Sequence, residues 1–310
     1  IMALTYLELT NDVITRMNEV VLTAGTFSTA RGVQIQCQNA VNESIRYINQ
    51  REFAYPFNHA NNSSTVVPGV ARYALPASTK HVDYNTARIK KDSTLGTSGN
   101  SLSILTYNEY ISKEFVNKED DIVSTTLNGS HSISVATLTL ASTTGLDATG
   151  TVYIGGEQVT YTGILGNDIT GCTRGANSTT ASTHASGVVV TQFDSGGLPR
   201  YIVRTLDNNY LLYPFPDKEY QLTFDYFTFP SDLAAQGDTT SIPERFKPII
   251  VDGAAAFVYQ YRGEMQQYQL NFERFEQGIK NMQTLLVNKF EYISSKVIHR
   301  SSNGSFGMLN

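Results

Sequence analysis

The sequence has no tryptophan, only two cysteines and a shortage of basic residues. Cys37 and Cys172 lie in stretches of different character, so two free thiols in a reducing cytoplasm are the expectation and a single disulfide the alternative. With 23 Lys and Arg against 28 Asp and Glu, the net charge is −5, which argues against wrapping DNA phosphates as the main task. A mildly acidic surface does permit a passage through which DNA slides without sticking. No apolar run is long enough to span a bilayer, so no membrane span is expected. No signal peptide is expected either: Ile1 precedes Met2, the expected natural start, and Thr5–Val21 carries Glu8, Asp12, Arg16 and Glu19. The Asn-x-Ser/Thr triplets at Asn128 and Asn177 have no meaning without a secretory route. The 18 Tyr and 15 Phe that stand in place of tryptophan indicate β-sheet packing and have no mechanistic weight.

Catalytic and ligand motifs are also missing. His59, His81, His131, His184 and His299 form no metal-ligand spacing, and each is expected in a loop or at the surface. Gly155-Gly156 and Gly196-Gly197 lack the lysine and helix start of a phosphate loop. Gly171-Cys172-Thr173-Arg174-Gly175 carries no dinucleotide fingerprint; its glycines suit turns, and Arg174 suits a surface salt bridge. No nucleophile elbow supports a Ser–His–Asp site. Asp120-Asp121 reads as a solvated loop and Lys90-Lys91 as a solvated edge strand. No cofactor, metal site or enzyme activity is expected.

What is present is architecture. A hydrophobic content of 41% supports a real core, and the length allows two domains or one domain carrying an insertion. Ser241–Val297 organises the chain. Apolar residues recur at helical spacing through Phe246, Ile250, Ala254, Phe257 and Val258. After a break at Arg262-Gly263 they recur through Phe272, Phe275, Ile279 and Met282. The short connection forces an antiparallel hairpin, and a second helix of about 30 residues would run about 45 Å. A short turn over Pro243–Phe246 should precede the first helix, which starts near Pro248. At the other end, Thr5–Leu22 reads as one helix, with Leu9, Val13, Met17, Val20 and Val21 on its apolar face. A second helix, capped by Ser28 or Thr29 and running to about Arg51, carries Val33, Cys37, Val41, Ile45 and Ile48.

Between these ends the pattern is β. Thr65–Val67, Ala71–Leu75, Val82–Ile89 and Ser101–Leu105 read as strands, as do Arg200–Arg204, Tyr210–Tyr213 and Tyr220–Phe229; Tyr107–Phe115 is more helical. From 124 to 193 only Asp147, Glu157, Asp168 and Arg174 are charged, and Ser, Thr, Gly and Val dominate. Strands at Ser132–Leu140, Thr151–Ile154, Gln158–Tyr161 and Val188–Thr191 make this stretch look like a small β-module set into a host. The expected fold class is therefore α+β: a four-helix bundle formed by N- and C-terminal helix pairs, and a central antiparallel β-domain carrying an inserted small all-β module. The expected divisions are 1–52 (N-terminal helix pair), 53–123 with 194–240 (β-domain), 124–193 (inserted module), 241–298 (C-terminal helix pair) and 299–310 (tail). Val13, Met17, Val41, Ile45, Phe257, Phe272, Phe275, Ile279 and Met282 are the expected bundle core. The tail ends Phe306-Gly307-Met308-Leu309-Asn310, either a docking element or a disordered end.

Several strings carry a resemblance. They are Leu4–Val13, Tyr73-Ala74-Leu75-Pro76 followed by Val82-Asp83, Pro199-Arg200-Tyr201, Leu211–Asp217 and Ile242–Phe246. In this order, and with helix pairs at both ends, the chain resembles the head-to-tail adaptors of tailed bacteriophages, the tail tubular protein A-like connectors. The match covers about 2–120 and 195–297. Tyr153–Tyr161 and Thr173–Thr180 resemble a β-module of phage tail and fibre proteins, which departs from the adaptor pattern. The resemblance implies a homo-oligomeric ring of about twelve copies under the portal protein. It also implies contacts to a tail nozzle or tube protein, tail fibres around the rim, and genome double-stranded DNA passing through without specific binding. Phe306, Met308, Leu309 and Asn310 would dock on the portal. The setting would be the virion, at the portal vertex, after assembly in the host bacterial cytoplasm. The alternative is a tail or baseplate component that binds fibres or host glycans through the β-module.

Overall fold

In the computed structural model, the first helix starts where the sequence provides a capping box. The Thr5 hydroxyl accepts from the Glu8 N–H at 3.3 Å and the Glu8 carboxylate accepts from the Thr5 N–H at 3.1 Å, which opens α1 (Tyr6–Arg16). The structure describes residues 4–68, 70–90, 99–113, 122–193 and 196–287. Two compact units divide the chain, one from residues 1–58 and 229–310 and the other from residues 59–228.

The first unit holds α1, α2 (Val33–Gln50), α4 (Lys247–Arg262) and α5 (Met265–Leu286). The main helix of the C-terminal region follows a 3-10 turn at Glu244–Phe246, with Pro248 in its first turn, where no donor is lost. It ends at Gly263, whose φ of 78° is the left-handed cap that reverses the chain into α5. Helix α4 is the hub and packs on α1, α2 and α5. Gly253 makes the closest approach possible: a Cβ there would lie 2.5 Å from Ser44 Oγ and 2.6 Å from the Phe275 ring. Arg16–Asp252, Arg51–Glu276, Lys247–Asp12 and Arg262–Glu19 ion pairs tie the helices at their solvent edges.

The second unit is β, apart from α3 (Tyr107–Ser112), which opens with its own Thr106–Glu109 capping box. Its strands are β1 (His59–Val66), β2 (Arg72–Ala74), β3 (Thr79–Lys90), β4 (Asn100–Ser101), β5 (Ser103–Thr106), β6 (Val123–Thr126), β7 (Thr137–Thr139) and β8 (Gly150–Ile154). They continue with β9 (Glu157–Tyr161), β10 (Gly163–Leu165), β11 (Asp168–Thr170), β12 (Val189–Gln192), β13 (Tyr201–Arg204), β14 (Asn209–Tyr213) and β15 (Tyr220–Thr228). The sheets run β1-β15-β3-β4, β2-β14-β13-β5, β6-β12-β8-β9 and β10-β11-β7. Alternation along β13 and β14 sends Ile202, Tyr210 and Leu212 into a core with Val82, Ile89, Leu222 and Phe224 of the first sheet. The intervening Val203 and Leu211 face a second core with Leu105, Tyr110, Tyr153, Phe193 and Phe215. A third core, from Leu127, Leu138, Leu140, Val152, Ile154, Val159, Tyr161, Ile169 and Val190, is built by the last two sheets and the Leu127–Leu140 bridge.

The expected α+β arrangement, a four-helix bundle with a central antiparallel β-domain, is corrected by these observations. Among the described residues the chain is mostly β, with four sheets and five α-helices. One pairing in the centre, β5 with β13, is parallel. The helices are also shorter than their periodicity implied. Asn18 takes φ 56° directly after α1, so Val20 and Val21 lie in an exposed loop instead of on a helix face. A 3-10 turn at Phe27–Thr29 comes before α2, which starts only at Val33.

Candidate functional site

The expected core residues meet in the helical unit. Val13, Met17, Val41, Ile45, Phe275, Ile279 and Met282 are buried in one apolar cluster, and Phe257 and Phe272 pack against it half-buried. Tyr47 lies edge-on to Phe257 and Phe272, 6.3 and 5.9 Å between centroids, and its hydroxyl donates to Glu276 at 2.5 Å. Cys37 is fully buried, Cys172 is half-buried, and both are free thiols; burial pushes the Cys37 thiol up to about 11, out of the reactive range. Phe306, Met308, Leu309 and Asn310 lie outside the described residues, as do His299, Asp120, Asp121 and Lys91.

The most densely built polar site in the β unit was not anticipated. Strand β9 begins at Glu157, whose side chain is wholly out of solvent. Arg174 grips its carboxylate through Nε and Nη2, and the backbone N–H of Gly175 donates at 2.9 Å and that of Ser182 at 3.1 Å. His184 Nε2 lies 2.8 Å from the same carboxylate. Two further donors of Arg174 go to the carbonyls of Ser132 and Ser182, both at 2.6 Å. Burial alone would raise the Glu157 carboxyl, but the donors from Arg174, Ser182, His184 and Gly175 outweigh it and bring the group down to about 2. Arg174 is therefore a buried partner and not a surface one; His184, expected in a loop or at the surface, lies in a loop and is buried. His59 and His81 are exposed.

Chemically, this cluster is a clamp. It fixes the loop from Thr173 to His184 over the β8–β9 hairpin, with both oxygens of the Glu157 carboxylate engaged within the protein. That loop carries Asn177, whose amide donates to Asp217 at 3.0 Å. Close by, Tyr153 and Phe193 stack 4.4 Å apart and nearly parallel, and Phe215 meets Phe193 edge-on at 5.4 Å. Among the described residues no group of three or more His, Cys, Asp or Glu is placed to hold a metal ion. No helix among them is long and apolar enough to cross a membrane.

The family model described as SU10 adaptor protein matches residues 119–289, more than half of the chain. The match runs from ahead of β6 to beyond α5, so it takes in the Glu157 clamp, the aromatic stack and the α4–α5 hairpin. No curated protein matches the sequence.

Proposed function

The chain belongs to the SU10 adaptor protein family, and from that premise we propose that it forms a ring joining the portal protein at the capsid vertex to the tail nozzle or tube. The family makes it a structural, virion-associated bacteriophage protein that works by contact with other phage proteins. The finer reading is an adaptor of the tail tubular protein A-like type, about twelve copies to the ring, with the genome passing through its centre during ejection. The family match is the observation that carries this reading.

Physical features of the chain support it. Net charge of −5 suits a lumen that does not hold DNA. The helical unit leaves Val20, Val21, Tyr261 and Met265 exposed, and the Glu19–Arg262 pair at 2.9 Å brings the loop of the first two to the α4–α5 turn, where Tyr261 stands in the last turn of one helix and Met265 opens the next. A neighbouring copy in a ring would cover these side chains. Segment 124–193 is read as a module facing outward, toward a neighbour or a fibre. Strands β6 and β12, which open and close it, lie side by side in antiparallel register. The last residues, Phe306 to Asn310, are the proposed portal contact.

Electron microscopy of the protein mixed with the portal ring of the same particle tests the proposal, beside a form truncated after Val297. A second ring added by the full-length protein alone supports both the connector role and the tail contact. A ring added by both forms places the docking in the folded part. If neither form binds, the connector reading falls.

A further inference from the structure

The turn from β13 to β14 projects Leu206, which at 93% exposure is the most exposed large apolar side chain among the described residues. Its exposure is not slackness, because the turn beneath it is braced. The Thr205 hydroxyl donates to the Asn209 carbonyl at 2.6 Å. The Asp207 carboxylate accepts from Arg72 at 2.6 Å and from the Asn209 amide at 2.8 Å. A hollow lies on each flank. One, of about 180 Å³, is lined in part by Lys80, His81, Tyr84 and Arg204. The other, of about 330 Å³, is lined by Thr106, Tyr107, Asn108 and the same Arg204, Thr205 and Leu206. Arg204 thus borders both hollows, and no carboxylate among the described residues pairs with it. Asp207 is the one carboxylate in either lining, and Arg72 already neutralises it.

We propose that the Arg204-Thr205-Leu206 ridge is a docking site for an acidic, apolar segment of a partner protein. Arg204 seats a carboxylate in one hollow and Leu206 packs against the neighbouring apolar side chain. Charge complementarity names this occupant: a locally cationic ridge on a chain of net charge −5 selects acidic groups. Nucleic acid is the poorer fit. Its affinity comes from many phosphates met by a tract of Lys and Arg, and a fully exposed leucine adds nothing to such a contact. A rigid apolar knob beside a fork-shaped donor is instead the pattern that carries energy at protein interfaces. The site lies wholly within the β unit and does not depend on ring formation or on the portal.

The test is saturation-transfer NMR on the capped peptide N-acetyl-Leu-Glu-Leu-amide at millimolar concentration with the full-length protein. Transfer to the peptide is expected, and it should fall about five-fold in Arg204→Gln, the size of one partly exposed charge pair. It should also fall in Leu206→Ser. Arg200→Gln, whose side chain lines neither hollow, should leave it unchanged. Both tested side chains are exposed, so the variants keep the fold. Equal transfer to the neutral control N-acetyl-Leu-Gln-Leu-amide, no loss in Arg204→Gln, or no transfer at all would overturn the proposal. Displacement of the peptide by a twelve-base-pair DNA duplex would overturn it in favour of a phosphate site.

Discussion

Arg174 and Glu157 form a two-pronged pair, Nε to Oε1 at 2.8 Å and Nη2 to Oε2 at 2.7 Å, with both side chains removed from water. Charges so placed are costly to bury and far more costly to separate. Glu157→Gln leaves the Arg174 guanidinium without its counter-charge, and it should lower stability by about 3–5 kcal/mol. Urea unfolding of the full chain, followed by tyrosine fluorescence, measures this. A shift below about 1 kcal/mol would mean that the pair is solvated and not buried.

The same clamp gives an acid limit. The Glu157 carboxyl lies at about 2 in the folded protein against an ordinary 4.5. A depressed carboxyl contributes in full above its unfolded value, and the contribution drains away as pH falls from about 4.5 toward about 2. Protection of the β8–β9 amides from hydrogen exchange should therefore weaken across that window. The Glu157→Gln variant should show a flatter acid limb there. Identical limbs in the two proteins would assign acid sensitivity to other carboxylates.

Gly253→Ala tests the helix contact. Alanine favours a helix over glycine by about 1 kcal/mol where nothing crowds it. Here the added methyl meets Ser44 Oγ at 2.5 Å and the Phe275 ring at 2.6 Å, and overpacking of that kind costs about 1–3 kcal/mol. The expected result is a lower denaturation midpoint; a raised one would show that α4 can shift away from α2 and α5.

Removal of Ser124–Gln192 should leave ring assembly on the portal intact if that segment is peripheral. The deletion would uncover Phe193, which loses the stacked ring of Tyr153, so it is best made together with Phe193→Ser to keep the protein soluble. Loss of rings from the double variant, with its β-sheet circular dichroism retained, would make the segment part of the ring contact.

Legibility in the sequence followed the range of the interaction. The α4–α5 hairpin was readable because its signals are local: helical spacing on both sides of Gly263 and a proline in the first turn. Strands β13, β14 and β15 likewise fell where alternation and prolines put them. Non-local features were not readable. Alternation marks β5 and β13 as strands and says nothing of their parallel pairing across the sequence between them. Val20 and Val21 fit the helical period of α1, and only the left-handed Asn18 takes them off it. Ser241, just ahead of the turn into α4, spends its hydroxyl on Asn58 at 2.7 Å, a contact across the sequence that no local pattern announces. One clue to the clamp was present. In a stretch with four charged residues, the lone arginine and a glutamate opening a strand lie 17 positions apart, and a buried strand leaves such a glutamate no partner but a cation.

Helix α4 completes the core of α1 and α2, and that has a consequence in time. Translation delivers Gln50 at the end of α2 about 200 residues before Lys247 begins α4. At about 5–20 residues per second, the apolar sides of the first two helices stay uncovered for roughly 10–40 s on the ribosome. Helices α1 and α2 are thus made before the β unit and finished after it. Nascent chains stalled ahead of Lys247 should be cut readily by protease within α1 and α2, and should resist it once Leu286 has emerged.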